Sequence, residues 1–505
     1  MKKTVIYISV MTMLLGLGAC KKQLNLLPFN AIELSQAFQT VKDATTWNNG
    51  LYSELRGRVY GNYTISQEVQ ADYLNASLDF GNRNGSPHKW GTEFQASDAA
   101  LSNAWSGYYF ALKNVNTAIA GFDLIKTTVP AEQALLSRYK GEAYLARAYY
   151  YSELIIRFAK PYEPATAATD PGVPLVLTYD LNAQPARSTV KQVYDQILAD
   201  ITQAKTLLAA VNGAQGANKF TKDAANALDA RVRLYMQDWA GAMSAVQAVL
   251  GPTLANTTYP LITTQSEMNT MWVNDLGKET ITQLSVVRTS ETAPTMNIYL
   301  GFVPAQSKFT PDFIPTQGIV DMYSGTDIRK GTYFGILPTR IQGVDYSLYL
   351  VNKYRGNPSL FTTTTTNYQQ APKVFRAAEL FLIYAEAAQR LGGANEPLAL
   401  TALNLLRVAR GTTALVGLTG NALRDAIRDE RTRELAFEGF RLWDLKRWHL
   451  GFTRMAPQNL GPIQIGPLFH ALTIAADNPQ FVWGIPTNDV TINPNIGQAN
   501  QNPGW

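Results

Sequence analysis

The chain's 505 residues and 46% hydrophobic content are enough to build a large packed core. Charged residues make up only 16% of the chain, a low share for a cytosolic protein, and the net charge is +5. Because no basic run or arginine-rich patch appears, a nucleic acid is excluded as an expected partner.

The N-terminus has the pattern of a targeting segment rather than of a folded element. Lys2 and Lys3 precede an apolar run over residues 5–17. This run is shorter than the roughly 18 apolar residues that a membrane-spanning helix needs. We therefore expect residues 1–19 to be a lipoprotein signal peptide and exclude them from the fold.

The apolar run ends in Leu17-Gly18-Ala19-Cys20, which resembles a bacterial lipobox. Cys20 is predicted to be the lipidation site, and several acyl chains on it would anchor the mature chain, residues 20–505, to a membrane. Since Cys20 is the single cysteine, we expect a fold that is stabilised by core packing and not by disulfides.

The first part of the mature chain combines one helix with a loop-rich segment. Residues 31–49 predict a helix, with Ser35 as a candidate cap. The composition then shifts to Gly, Asn, Asp, Ser and Tyr over residues 48–96, and residues 81–87 are especially rich in turn formers. We expect this segment to be a surface loop region.

Helical patterns return between residues 97 and 250. A cluster of small and aromatic residues repeats 84 positions later: Ala143, Ala146, Arg147 and Tyr151 correspond to Ala227, Ala230, Arg231 and Tyr235. Small residues at helical spacing let paired helices approach closely, as in tetratricopeptide-type repeats. Asp238-Trp239-Ala240 is predicted to begin the second helix of one such pair, and Ser188 or Thr189 to cap a helix over residues 190–208.

The rest of the chain alternates irregular and helical segments. Residues 251–370 contain many prolines and predict a loop-rich region with short strands, whereas residues 371–450 predict a second helical unit. Gly392-Gly393 is the expected turn between two of its helices. The last segment, residues 451–505, is irregular, and all these parts are expected to form one domain.

Residues 423–450, LRDAIRDERTRELAFEGFRLWDLKRWHL, predict one long helix. Glu430 and Glu434 lie three or four positions from arginines, which favours ion pairs. The neighbouring arginines should keep both carboxylates ionised, so neither is suited to be a general acid. The alternatives are a solvated charged face and a structural lock between this helix and the repeats. We interpret the charges as a structural lock.

No pattern of catalytic or metal-binding residues appears in the chain. The three histidines, His88, His449 and His470, are not at metal-ligand spacing, and no P-loop, GxSxG or GxGxxG-helix motif is present. We therefore expect no catalytic residue, no metal and no cofactor.

Four separated motifs resemble the SusD/RagB-like family of outer-membrane nutrient-binding lipoproteins. They are Leu24-Asn25-Leu26-Leu27-Pro28 after Cys20, Arg187-Ser188-Thr189-Val190, the ER-x-RELAFEGFRLWDLKRW run, and a C-terminal series of Trp483-Gly484-Ile485-Pro486, Asn493-Pro494 and Gln501-Asn502-Pro503-Gly504-Trp505. Their order and span cover essentially the whole mature chain.

The resemblance implies a mainly α fold, in which tetratricopeptide-like helix pairs form an α/α superhelical scaffold for an irregular ligand-binding region. It also implies a non-enzymatic, lipid-anchored protein of the outer membrane that faces the cell surface. Such a protein captures oligosaccharides and passes them to a TonB-dependent transporter resembling SusC.

Aromatic residues, which make up 11% of the chain, favour carbohydrate binding because sugar rings stack on them, although most aromatic side chains in proteins belong to the core. The position of the ligand site in the family, carried onto this chain, gives seven candidates: Asp72, Asn82, Arg83, Trp90, Trp272, Tyr299 and Tyr323.

Other functions remain open at this stage. The helical repeats also suit a protein-interaction scaffold, and the lipoprotein could bind peptides instead of sugars. A glycoside hydrolase stands third, because paired carboxylates converge only in the folded chain.

Overall fold

The computed structural model describes residues 34–178, 180, 182–255 and 257–505. The predicted signal peptide and the predicted lipidation site, Cys20, lie outside the described residues. Among the helices of the described part, none is both long and apolar enough to cross a membrane.

Helices dominate the described chain and confirm the predicted mainly α fold class. They are α1 (Leu34–Ala37), α2 (Val41–Arg56), α3 (Asn62–Gln70), α4 (Gly85–Lys89), α5 (Ala99–Phe122), α6 (Pro130–Phe158), α7 (Val190–Leu207), α8 (Lys222–Tyr235), α9 (Trp239–Leu250), α10 (Gln265–Val273), α11 (Gln317–Asp321), α12 (Lys330–Tyr333), α13 (Ala377–Leu391), α14 (Glu396–Ala409), α15 (Gly420–Glu434), α16 (Arg441–Arg447) and α17 (Thr487–Ile492).

The strands are short and form small separate sheets. They are β1 (Leu74–Ala76), β2 (Thr280–Gln283), β3 (Phe302–Val303), β4 (Lys308–Phe309), β5 (Phe313–Pro315), β6 (Phe334–Ile341), β7 (Val344–Val351), β8 (Lys373–Arg376), β9 (Phe452–Thr453) and β10 (Thr473–Ile474). The largest sheet has the order β3-β4-β6-β7, and its β6–β7 hairpin is antiparallel.

The predicted helix pairs pack as consecutive neighbours. Helix α6 packs against α5 and α7, α8 against α9, and α13 against α14, while α9 also joins the two units by packing on α13. Ala143, Ala227 and Ala230 are buried where these helices meet, as the small-residue pattern predicts. Thr189 caps α7 and Asp238 caps α9, each through a side-chain oxygen that accepts a backbone N–H.

The first predicted helix is wrong in its boundaries. Instead of one helix over residues 31–49, the chain forms α1 and α2, and the cap of α2 is Thr40 rather than Ser35. Thr40 and Asp43 form a reciprocal capping box, in which each side chain accepts the other residue's backbone N–H. This pairing satisfies two N–H groups at once and sets the helix start.

The segment over residues 48–96 is more regular and more buried than predicted. Helices α3 and α4 and strand β1 occupy much of it, and β1 pairs with β5 across more than 200 residues of sequence. Ile65, Val69 and Tyr73 are buried in a second hydrophobic core there. Local turn composition missed this order because the long-range pairing and burial create it.

The predicted long helix over residues 423–450 is also wrong: the chain forms α15 and α16 with a break between them. Phe437 and Gly439 have φ angles of +67° and +89°, which no α-helix accommodates. The carbonyls freed by the break accept hydrogen bonds from distant side chains: Glu434 from Tyr333 (3.0 Å), Ala436 from Lys353 (2.9 Å) and Phe437 from Tyr354 (2.7 Å). Tertiary hydrogen bonds therefore outweigh local helix propensity.

Fully buried ion pairs surround the end of α15. Glu434 accepts hydrogen bonds from Arg329 (3.0 Å), Arg376 (2.9 Å) and Arg410 (2.9 Å). Burial raises the pKa of Glu434, but the three arginines outweigh it and hold the pKa well below its usual range. The pKa of Glu430 is likewise lowered to about 2 by Arg329, Arg433 and Arg407, against its burial.

The prediction that both carboxylates stay ionised is thus confirmed, and the charged face is buried rather than solvated. Arg376 immediately precedes α13 and Arg410 immediately follows α14. The pairs therefore join α15 to α13 and α14, the preceding helices of the same unit, in agreement with a structural lock.

Glu434→Gln should destabilise the fold by about 3–5 kcal/mol, since it removes the charge that compensates three buried guanidinium groups. Urea unfolding at neutral pH measures this change. Asp425→Asn, on the exposed side of the same helix, is the matched control and should cost less than about 0.5 kcal/mol. Equal small effects of the two substitutions would contradict the lock.

Trp443→Ala should destabilise by about 3–5 kcal/mol, because the Trp443 side chain is 2% exposed and packs 5.4 Å from the ring of Trp483. Denaturant unfolding provides the measurement, with Leu405→Ala, at an exposed helix position, as the control. A loss below about 0.5 kcal/mol for Trp443→Ala would contradict the packing.

Candidate ligand-binding face

The structure places five of the seven predicted ligand-binding residues in the interior. Their side chains are between 0% and 3% exposed: Asp72, Trp90, Trp272, Tyr299 and Tyr323. The prediction that they form a ligand surface is wrong for these five, because a buried ring has no free face for a sugar.

Trp90 and Asp72 have structural partners instead. The Trp90 indole donates to the carbonyl of Gln70 (2.8 Å) and its ring packs against Phe481 at 5.0 Å. Asp72 accepts two hydrogen bonds from Arg441 (2.9 and 2.6 Å). Asp72 thereby joins the early segment to α16, whereas Trp90 joins it to the C-terminal segment.

The other three buried candidates belong to the second core. Trp272 lies 4.2 Å from the ammonium of Lys353 and covers that buried cation. Tyr299 packs 5.7 Å from Phe437, and the Tyr323 hydroxyl donates to the carbonyl of Arg433 (2.7 Å). Their rings thus fill the space around the break between α15 and α16.

Asn82 and Arg83 are exposed, as the prediction requires. Asn82 has a φ angle of +59°, a left-handed turn conformation that asparagine tolerates. The Arg83 guanidinium is 59% exposed and donates to the buried carboxylate of Asp312. This bond ties the turn to the end of the segment before β5.

Three segments meet around this turn, and we call their joint surface the loop face: residues 77–84, the β6–β7 hairpin and residues 458–468. The backbone of Leu78 donates to Pro462 (2.9 Å) and that of Gln464 to Ala76 (2.8 Å). The backbone N–H of Gln342, at the hairpin tip, donates to Asp79 (3.0 Å). Hydrogen bonds from backbone N–H groups, between segments that are far apart in sequence, therefore hold the loop face together.

The loop face exposes apolar side chains next to polar groups. Six large aliphatic side chains on it are at least 37% exposed: Leu78, Ile336, Val344, Leu460, Ile465 and Leu468. Tyr346 is half-buried beside Gly461, where an added Cβ would lie 3.2 Å from the Tyr346 hydroxyl. Apolar surface with convergent polar groups suits a ligand that has both kinds of surface.

Tyr346 is the candidate that the sequence reasoning missed. It lies in the alternating run of β7, after the Gln342-Gly343 turn, and that pattern could have indicated a hairpin with one exposed side. Among the described residues, no group of three or more His, Cys, Asp or Glu side chains could hold a metal ion.

Burial raises the pKa of Asp312 from 3.8 to about 6, although Arg83 lowers it in part. The folded chain therefore holds a proton at Asp312 more tightly than the unfolded chain. This tighter proton binding stabilises the folded chain at pH values below the pKa that Asp312 has in the unfolded chain. The stabilisation is lost as the pH rises through about 6.

Asp312→Asn should remove this pH dependence. Between pH values of about 4 and 7, the wild type should lose up to about 3 kcal/mol of stability relative to the variant. Urea unfolding across that pH range measures the difference, and Asp79→Asn on the same face is the control. Parallel curves for wild type and Asp312→Asn would contradict the assigned pKa.

Comparisons with known proteins agree with this architecture. The model of the SusD family matches residues 322–505, and a second one, described as "Starch-binding associating with outer membrane", matches residues 33–234. A SusD-like protein of Formosa agariphila is 24% identical to the chain over 93% of this chain and 96% of that protein.

Solved structures show the same fold. A SusD superfamily protein of Bacteroides thetaiotaomicron has a TM-score of 0.77 at 23% identity and covers 92% of this chain and 100% of its own. A SusD-like carbohydrate binding protein of Bacteroides vulgatus has a TM-score of 0.72 at 20% identity, with 92% and 98% covered. From the two family matches and the curated relative, we conclude that the chain belongs to the SusD/RagB-like family, whose members are carbohydrate-binding proteins associated with the outer membrane.

Proposed function

We propose that this protein is a non-enzymatic lipoprotein that captures oligosaccharides on the loop face. The observation that carries the proposal is the combination on that face of exposed aliphatic groups, the half-buried Tyr346 ring and the exposed Asn82 and Arg83 side chains. Sugar rings present apolar C–H faces and many hydroxyl groups, so they match a surface of this composition.

Arg83 and Tyr346 have distinct roles in the proposed site. The Tyr346 ring supplies a flat apolar surface, and its buried side packs on the hydrophobic cluster around Leu348 and Ile463. Arg83 keeps donors available beyond its bond to Asp312, because its guanidinium is more than half exposed. Asn82 adds an amide that can both donate and accept.

The proposed location is the outer membrane, with Cys20 lipidated and the loop face exposed outside the cell. A TonB-dependent transporter resembling SusC would receive the ligand. Deletion of the gene should then abolish growth on the oligosaccharide that the purified protein binds. Unchanged growth and uptake would contradict delivery to a transporter even where binding itself is demonstrated.

A protein-interaction scaffold is the alternative, and one observation favours it. Leu398, Leu405 and Val408 lie at helical spacing on one side of α14 and are each at least 40% exposed. An apolar stripe of this kind suits a protein partner. The two functions are separable, since affinity electrophoresis on a glycan panel retards a sugar-binding protein and leaves a pure scaffold unaffected.

The main experiment is isothermal titration of the chain beginning at Lys21 against plant, host and microbial oligosaccharides. A saturable signal should appear for one class, and Arg83→Ala or Tyr346→Ala should each weaken it about tenfold, or 1.4 kcal/mol. Both substitutions remove a group from the loop face without emptying the core.

Phe110→Ala is the matched control, because Phe110 is an aromatic residue that is 50% exposed on the scaffold helix α5. Its affinity should equal that of the wild type. The proposed site would be overturned if the folded wild-type protein gave no binding signal with any oligosaccharide. Equal losses of affinity in Phe110→Ala and Tyr346→Ala would also overturn it.

A further inference from the structure

A second concave site lies on the helical scaffold, apart from the loop face and independent of the proposed function. It is a cavity of about 110 Å³ between α8, α9, α13, α15 and the end of α16. Its lining includes two tryptophans and three arginines: Trp239, Trp448, Arg390, Arg428 and Arg447. The volume suits a few water molecules or a single small polar group.

The arginines lie against the tryptophan rings. The guanidinium carbon of Arg390 is 5.2 Å from the centre of the Trp239 ring, and that of Arg428 is 5.0 Å from the Trp448 ring. Both rings are half-buried. Stacking on an indole fixes the plane of a guanidinium while leaving its N–H groups directed away from the ring.

Arg447 is fully partnered, unlike the other two arginines. It donates two hydrogen bonds to Glu386 and one to Asp444 (2.8 Å). Within the described parts of the chain, neither Arg390 nor Arg428 donates a side-chain hydrogen bond. The carboxylate nearest to Arg428 is that of Asp425, at 3.6 Å, which is longer than a hydrogen bond.

Positive charge is in excess around this cavity. Asp425 accepts hydrogen bonds from Arg424 (3.0 and 3.3 Å), so it compensates that residue first. Burial, together with repulsion from Arg424 and Arg390, lowers the pKa of Arg428, although Glu386 and Asp425 raise it in part. Two guanidinium groups thus share a cavity without a hydrogen-bonded counter-ion.

The carboxylates that line the cavity are already engaged. Glu386 is bound by Arg447 and by the Trp448 indole (2.9 Å), and Glu163 is bound by His449 (2.9 Å) and by Gln237 (3.0 Å). The charge of Glu386 is therefore offset by Arg447, and neither Glu386 nor Glu163 accepts a hydrogen bond from Arg428 or from the exposed Arg390.

We propose that this cavity is an oxyanion site, in which Arg390 and Arg428 bind a carboxylate or sulfate group of a ligand. Charge-assisted hydrogen bonds from a planar guanidinium match the oxygen geometry of such groups. The bound anion would supply the acceptors that the fold does not provide and would relieve the repulsion between the arginines.

The test is titration of the folded protein beginning at Lys21 with sodium sulfate or sodium acetate, at ionic strength kept constant with sodium chloride. Tryptophan fluorescence reports binding, because both rings lie under the arginines. Saturable binding of one anion is expected, and Arg428→Gln and Arg390→Gln should each weaken it at least tenfold. The sulfate and acetate arms identify the preferred group.

Arg424→Gln is the matched control, because it removes the same charge from the same helix but from a side chain that is already paired. Its affinity should stay within twofold of the wild type. A response that chloride reproduces, or an equal loss in Arg424→Gln and Arg428→Gln, would mean diffuse electrostatic attraction only. Either result would overturn the site.

Discussion

The buried contact of Glu434 with Arg329, Arg376 and Arg410 is the constraint on which much of this structure depends. The free energy needed to remove four charged groups from water is far larger than the free energy that one ion pair regains. Each of the four side chains must therefore keep all its partners. The arginines come from the central region, from the residue before α13 and from the residue after α14. The helical unit and the irregular region are thereby joined at one point.

The same constraint accounts for the burial of aromatic side chains from the irregular region. Lys353 and Arg376 lie 4.2 and 5.4 Å from the Trp272 ring, which shields them from water. Tyr333 donates to the carbonyl that the break leaves free at Glu434. Rings that look like a binding surface in a Gly- and Pro-rich sequence are therefore needed to cover buried charge.

The scaffold could be predicted from sequence because its signals are local. Ala143 and Ala227 mark helix contacts by their spacing, and Asp238 and Thr189 begin helices by side-chain capping. The site could not be predicted in the same way. Whether Trp90 faces water or Gln70 depends on pairings between segments hundreds of residues apart, such as β1 with β5. The exposure of Asn82 and Arg83 could be predicted, because a tight polar turn is exposed for local reasons.

Arginine has two different roles in this protein, and the contrast separates structure from recognition. Arg410 donates to Glu279, Glu434 and the carbonyl of Ile262, which leaves no donor for a ligand. Arg390 and Arg428 rest on tryptophans and donate no side-chain hydrogen bond within the described part of the chain, although Asp425 lies 3.6 Å from Arg428. A cation that the fold does not use, held in a fixed orientation beside a second one, is what an anion site requires.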